Sequence, residues 1–206
     1  RVYNINNFSK RKYVKTPESV KAVYMSSWVA GTPSIRSKLI ELIEETELNS
    51  VIIDVKDSTG KIAFPIEDPI IQKYDSIEKR IGDIENLIDT LHEKNIYVVA
   101  RICAFQDTHL AETRNDLSPI SKNSGKIWRD RKGVAWVDPG SKEVWDYIVA
   151  IGKRSHEIGF DELNFDYIRF PSDGNMSDIE YTHHDVSKGT KADNMKEFFA
   201  YLHSNF

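Results

Sequence analysis

Short apolar runs and longer amphipathic segments alternate along the chain. The apolar runs, rich in strand-forming residues, occupy 21–28, 50–57, 96–105 and 161–170. The segments whose apolar residues recur every three or four positions occupy 34–48, 81–94, 141–158 and 193–206. That spacing places apolar side chains on one face of a helix, whereas the compact runs are typical of buried strands. The pattern therefore predicts four strands, each followed by a helix.

The order and spacing of these elements predict where a site lies. Strictly alternating strands and helices imply parallel strands joined by right-handed crossovers. The helix-to-strand connections take two or three residues, whereas three of the four strand-to-helix connections run to about twenty residues or more. Long loops at the carboxyl ends of parallel strands build the sites of α/β folds. We therefore expect the functional residues at that edge of the sheet.

A barrel and an open doubly wound sheet both fit this alternation. The first strand runs into SSWVAGTPS (26–34), which has neither the G-x-G-x-x-G pattern nor a P-loop lysine, and this disfavours nucleotide binding. A complete barrel has eight units in about 250 residues, and this chain has four in 206. The predicted fold class is α/β, a (β/α)8 TIM barrel with only the first four to five units present. We expect 1–19 to be an N-terminal arm or linker and 20–206 the N-terminal portion of the barrel domain.

Composition and charge exclude several classes of partner. Apolar residues make up 40% and charged residues 29%, with a net charge of -4, which is typical of a globular domain. Lysines and arginines are scattered among acids, so we expect no nucleic-acid partner. No apolar run approaches the roughly 20 residues that span a bilayer, so we expect no membrane-spanning segment. The oligomeric state stays open.

Polar residues interrupt the predicted strands near their carboxyl ends. Because side chains alternate along a strand, Asp54 and Lys56 share a face, and Asn164 and Asp166 share another. We expect a polar cluster in which Arg101 partners Asp166. The alternative is a buried ion-pair network that only fixes the register of the strands. Arg169 should point elsewhere unless the strand bends before the proline at 171.

A resemblance to a known family rests on the stretches AVYMSSW (22–28), NSVIIDVKDSTGKIAF (49–64), NIYVVARICAF (95–105), the run 136–162 and GFDELNFDYIRFPSDG (159–174). Together they resemble a bacterial glycoside-hydrolase barrel family of unknown function, distantly related to the α-amylase type of barrel. The resemblance covers about 20–206 and implies a TIM barrel. It also implies that Asp166, at the end of the fourth strand, is the catalytic nucleophile. Asn164 stands where amylase-type barrels carry an arginine, and Arg101 is the candidate to supply that charge.

Glycoside hydrolysis also needs a second carboxyl group as general acid. In amylase-type barrels that residue follows the fifth strand, which this chain does not reach. Asp54, Asp57 and Glu162 are possible substitutes, and a structural or substrate-binding role is the favoured alternative for each.

Two tryptophans in the long third loop suit a sugar site. Trp128 and Trp136 lie in IWRDRKGVAWVDPG, and flat aromatic faces stack well on sugar rings. The alternative is that they pin the loop to the barrel. Trp28, at the end of the first strand, has the same two interpretations.

A metal site is the weaker interpretation of the remaining polar groups. His183, His184 and Asp185 are adjacent, but no H-x-x-x-H or cysteine cluster accompanies them. Cys103 is the only cysteine and fits a packed thiol better than a nucleophile. We expect no metal and no cofactor.

The leading hypothesis is a glycoside hydrolase of the cell envelope or exterior that cleaves a polysaccharide. Asp166 is the predicted catalytic residue. The predicted substrate-binding residues are Asp54, Lys56, Arg101, Trp128, Trp136, Asn164 and Arg169. One alternative is a non-catalytic carbohydrate-binding barrel. Another is a metal-dependent hydrolase, which requires His183 or His184 to meet Asp54 or Asp166 in space.

Overall fold

A computed structural model describes residues 13–184, 187 and 189–206. Its strands are β1 (Ala22–Met25), β2 (Ser50–Lys56), β3 (Tyr97–Cys103), β4 (Ile120–Ser121), β5 (Glu162–Asp166) and β6 (Ile179–Glu180). β1, β2, β3 and β5 form a parallel sheet in that order, and β4 pairs with β6 in a small antiparallel sheet. The predicted α/β fold with a parallel sheet is confirmed.

Seven α-helices lie in the described ranges. They are α1 (Ser27–Ala30), α2 (Pro33–Glu45), α3 (Pro69–Gln72), α4 (Ile84–Glu93), α5 (Thr108–Thr113), α6 (Lys142–Glu157) and α7 (Lys191–Asn205). The four longest, α2, α4, α6 and α7, are the predicted ones. The main core lies between helices and one face of the sheet, where Val51, Ile53 and Ile102 are buried. None of the helices described has the length and apolar character to cross a membrane.

The opposite face of the sheet, here called the inner face, is covered at its amino end and open at its edge strands. β1 and β5 are the edge strands and are not paired with each other, so no closed barrel forms within the described residues. Tyr24, on the inner face of β1, is 51% exposed, and Asn164 and Glu162 on β5 are exposed as well. The inner face is therefore accessible mainly along β1 and β5.

The fourth strand of the parallel sheet, β5, is shorter than predicted. The apolar run extends to 170, but the strand ends at Asp166 because Tyr167 adopts φ 54°. That left-handed conformation is rare for a bulky residue and breaks the extended backbone. Asp166 consequently becomes the last strand residue, and the side chains after it leave the alternation of the strand.

Part of the predicted N-terminal arm packs against the domain. Residues 1–12 lie outside the described part of the chain. The backbone N–H of Val14 donates to Asp161 Oδ1 at 2.8 Å, and its side chain is buried against Tyr97 and Val99. Tyr13 donates to the carbonyl oxygen of His156 at 3.1 Å. The domain predicted to begin at residue 20 therefore includes residues 13–14, which contact the amino end of the sheet.

Candidate active site

Asp166 and Arg101 meet at the carboxyl edge of the sheet. Arg101 is on β3, and the parallel register pairs it with Asn164, two residues before Asp166. Its Nε and Nη2 donate to Asp166 Oδ2 at 3.0 Å and 2.6 Å. The Tyr167 N–H donates to Asp166 Oδ1 at 2.7 Å. The carboxylate side chain is 44% exposed, so it is held by three hydrogen bonds and still reaches solvent.

Asp54 holds Arg101 from the other side. It is buried on β2 and accepts from Arg101 Nη1 at 2.6 Å and from the Tyr24 hydroxyl. Burial opposes the charge of Arg101, but its bonds to Asp54 and Asp166 outweigh that cost and raise the arginine pKa. Partial burial and the bond to Asp54 raise the pKa of Tyr24 to about 12. The polar chain thus crosses the inner face from β1 to β5.

Two predicted substrate-binding residues are buried. Asp54 is 4% exposed and contacts Arg101, and its role in substrate binding stays a prediction. Lys56 is 1% exposed; its Nζ donates to the Cys103 carbonyl at 2.7 Å and lies 2.9 Å from Asp107 Oδ2. A register irregularity between Asp54 and Lys56 accompanies this placement. The ammonium group of Lys56 is enclosed by protein partners in this structure, and the prediction that it binds substrate stays a prediction.

Cys103 is a packed thiol, as expected. It is buried and its Sγ donates to the Gln106 carbonyl at 3.2 Å. Burial raises the pKa of the thiol to about 12, and a thiol that stays protonated is a poor nucleophile.

Arg169 lies over aromatic rings beyond the bend at Tyr167. Its Cζ is 5.1 Å from the centroid of the Trp136 ring and 5.4 Å from that of Tyr167. Arg101 also lies over Tyr167, at 6.0 Å. Arg169 is exposed, donates to Ser172 Oγ, and forms no ion pair with the carboxylates of the described residues. Two guanidinium groups therefore share one ring beside Asp166.

The loop tryptophans are packing residues in this structure. Trp128 and Trp136 are 3% and 2% exposed. Their indole N–H groups donate to the Asn175 carbonyl and to Asp130 Oδ2, each at 3.2 Å. Stacking on a sugar needs an open ring face, which neither tryptophan has in this structure. Their burial supports the alternative that they pin the loop, and the prediction that they bind substrate stays a prediction. Trp28, by contrast, is 60% exposed.

The candidate general acids all have other partners. Asp57 accepts from Arg80 Nη1 at 2.6 Å. Glu162, at the first residue of β5, accepts from the Tyr97 hydroxyl at 3.0 Å, at the strand end remote from Asp166. With Asp54 buried, none of the three is a free second carboxyl group facing Asp166.

The contacts found for the two histidines are with residues other than Asp54 and Asp166, the carboxylates that a metal-dependent mechanism requires. His183 Nε2 lies 2.8 Å from the Asp116 carbonyl oxygen, and the His184 ring packs on Phe170 at 5.0 Å. Asp185 is outside the described residues. In the part of the chain that is described, no group of three or more histidine, cysteine or acidic side chains is placed to bind a metal ion.

Comparison with known proteins gives one family match and several structural matches. The family model described as "Putative glycosyl hydrolase domain" matches residues 22–206. A hypothetical protein from Ruminiclostridium thermocellum ATCC 27405 superposes with a TM-score of 0.81 at 29% identity, over 89% of this chain and 92% of that one. No curated protein matches the chain.

Two α-galactosidases share the fold at low identity. The enzyme from Thermus thermophilus gives a TM-score of 0.59 at 15% identity, over 95% of this chain and 37% of that one. The enzyme from Lactobacillus brevis gives 0.58 at 10% identity, over 90% and 25%. The chain thus spans between a quarter and two fifths of the length of these enzymes. At such identities the likeness shows a fold similar to TIM-barrel glycoside hydrolases and nothing finer.

Proposed function

The chain belongs to this family of glycosyl hydrolase domains, and from that premise we propose that it cleaves a glycosidic bond of a polysaccharide, with Asp166 as the nucleophile or the stabiliser of an oxocarbenium ion. One observation carries the proposal. Asp166 is a half-exposed carboxylate at the carboxyl end of a parallel strand, oriented by two N–H groups of Arg101. Fixed orientation of the attacking group is a large part of enzymatic rate acceleration.

The chemistry follows from this geometry. In a retaining hydrolysis a carboxylate oxygen forms a bond to the anomeric carbon while the bond to the leaving oxygen breaks, and a general acid protonates that oxygen. Water then cleaves the glycosyl ester. Arg101 holds Oδ2 and the Tyr167 N–H holds Oδ1, which fixes the plane of the carboxylate. Asn164 and Arg169 are the exposed residues nearest in sequence that we propose bind substrate hydroxyl groups.

The general acid belongs to a part of the barrel beyond the four strands of the sheet. We propose that the sheet is the N-terminal half of a (β/α)8 barrel, with residues 20–206 inside it. The exposed Tyr24 on the inner face of β1 and the unpaired edges of β1 and β5 support this. An extracellular or cell-envelope location, which suits a polysaccharide substrate, is part of the same proposal.

The test is release of reducing ends from a panel of bacterial and plant polysaccharides by the full-length parent protein, which carries the whole proposed barrel, and by its Asp166→Asn variant. We expect activity on at least one polysaccharide and a loss of at least about 10³-fold in the variant. Asp89→Asn, on the exposed face of α4, is the matched control and should keep full activity. Equal rates for Asp166→Asn and the parent remove Asp166 from the chemistry.

A second function has one observation in its favour. Asp54, Asp57 and Glu162 each have other partners, so the described half of the site holds one available carboxylate. A non-catalytic carbohydrate-binding barrel needs no general acid. Glycan binding without hydrolysis by the parent protein would establish that function instead.

A further inference from the structure

Trp28 is unlike the other tryptophans of the chain. Trp128, Trp136 and Trp145 are buried, whereas Trp28 is 60% exposed. It lies on α1, three residues after β1 ends, and therefore at the carboxyl edge of the sheet, where the candidate site is. Tryptophan is highly buried on average, so an exposed indole at this edge needs an explanation other than packing.

A rigid cation supports the Trp28 ring. The Cζ of Arg80 lies 5.0 Å from the ring centroid. Arg80 donates to Asp57 Oδ2 at 2.6 Å, to Glu78 Oε2 at 2.8 Å and to Ser27 Oγ at 3.1 Å, and its own side chain is almost fully buried. Because Arg80 covers one face of the indole and most of the side chain is exposed, the other face is open to a ligand.

Partly exposed polar groups lie next to the cation that supports the ring. The Glu78 carboxylate, paired with Arg80, is 42% exposed, and that of Asp57, also paired with Arg80, is 24% exposed. Carboxylate oxygens accept hydrogen bonds from hydroxyl groups, and a flat aromatic face suits the apolar face of a sugar ring. The combination favours a ligand with one apolar face and a rim of hydroxyl groups.

We propose that Trp28 is a sugar-stacking platform that binds a glycan at a unit distant from the bond that Asp166 cleaves. Trp28 follows β1 and Asp166 ends β5, and the sheet order separates these strands by three steps. Three interstrand spacings are roughly 14 Å. A single sugar ring is too small to contact both Trp28 and Asp166 across that distance. The substrate class is therefore a glycan chain of several units, not a small glycoside. This substrate assignment rests on the proposed function, whereas binding of sugar to the platform does not.

The experiment measures binding in an Asp166→Asn background, so that no hydrolysis occurs. Disaccharides and hexasaccharides of α-1,4-glucan, β-1,4-glucan, chitin and α-galactan are titrated by calorimetry against that protein and against the same protein carrying Trp28→Ala. We expect at least one hexasaccharide to bind, and Trp28→Ala to weaken it by about tenfold. Disaccharide affinity should stay unchanged. Phe199→Ala, which removes an exposed aromatic ring from α7, should have no effect.

Each outcome decides the proposal. Unchanged hexasaccharide affinity in Trp28→Ala overturns the proposal. It is also overturned if none of the tested glycans binds. An equal loss for disaccharides and hexasaccharides overturns the distant position of the platform. Trp28→Phe keeps a ring on the same backbone and should restore most of the affinity, which separates stacking from misfolding. Trp28-dependent binding by a parent protein without hydrolytic activity would support the platform while rejecting the proposed hydrolase.

Discussion

At the residue scale, Arg101 connects the whole polar chain of the inner face. It binds Asp54 through Nη1 and Asp166 through Nε and Nη2. A planar guanidinium can hold two carboxylates at fixed angles, whereas an ammonium group acts as a compact point charge. The shape of this one side chain therefore sets the orientation of the proposed nucleophile.

Arg101→Lys tests that role. We expect hydrolysis to fall by roughly 10²-fold, because a misplacement of the nucleophile by about 1 Å has an effect of that size. The charge that neutralises Asp54 is retained, so the protein should still fold. Kinetics of polysaccharide hydrolysis and a urea denaturation curve measure the two effects. Arg129→Lys, in an exposed pair with Glu112, is the control; an unchanged rate in Arg101→Lys would contradict the orienting role.

Glu143 predicts a pH dependence of stability. It accepts from Arg114 Nη1 at 2.8 Å, from the Tyr74 hydroxyl at 2.6 Å and from Lys73 at 2.9 Å. These hydrogen bonds hold the pKa of Glu143 well below its ordinary value; the bond from Arg114 has the largest effect, followed by those from Tyr74 and Lys73. A carboxylate with a lowered folded-state pKa contributes stability above the unfolded pKa of about 4.3 and loses it as the pH falls further.

Glu143→Gln should therefore destabilise the protein by about 1 kcal/mol at pH 7, a value that allows for the partial exposure of the group. The difference from the parent should shrink progressively below about pH 4. Urea denaturation at pH 7, 5 and 3 measures it. A difference that stays constant over this range would show that the ion pairs of Glu143 contribute nothing to it.

At the element scale, the loops after β2 and β3 pack together through a buried pair. Lys56 ends β2, and Asp107 caps α5 by accepting from the Leu110 N–H at 2.7 Å. Gly60, in the loop after β2, has φ 85°, and a Cβ there would lie 1.9 Å from Asp107 Oδ1. The close approach of these loops thus needs glycine both for its backbone conformation and for its small size.

Gly60→Ala should separate Asp107 from Lys56. Gly125 also has positive φ, 69°, but faces open space, so Gly125→Ala carries only the backbone strain of about 1–2 kcal/mol. We expect Gly60→Ala to be less stable than Gly125→Ala by about 3 kcal/mol, the scale of a disrupted buried ion pair. Thermal and urea unfolding of both variants provide the comparison. Equal losses would mean that the loop relaxes without disturbing Asp107.

At the scale of the whole molecule, the two ends of the parallel sheet differ in the chain segments that lie against them. The carboxyl end carries the long loops, and there the Asp166 side chain is 44% exposed. The amino end of the inner face is covered by the segment at Tyr13 and Val14, which is tied to Asp161 and His156. Asp161 also accepts from the Val98 N–H at 2.8 Å and contacts His92 Nε2 at 2.9 Å. One buried carboxylate therefore joins the segment, β3 and α4.

Val14→Asp should destabilise the domain by about 2–4 kcal/mol, because an unpaired charge would be placed against Tyr97 and Val99. Val20→Asp is the matched control in the same segment, since Val20 is exposed and a surface change costs within about 0.5 kcal/mol. Urea denaturation distinguishes them. Similar stabilities of the two variants would show that the segment at Val14 adds nothing to the fold.

The sequence by itself determined the order of elements, the parallel sheet and the face on which Arg101 and Asp166 meet. These properties depend on the period of apolar residues and on the alternation of side chains, which are local. Three other properties required the tertiary structure. The end of β5 depends on the left-handed Tyr167, and the burial of Lys56 depends on Asp107 from a distant loop. Which tryptophan is exposed depends on what the long loops cover, and no local pattern distinguishes Trp28 from Trp136.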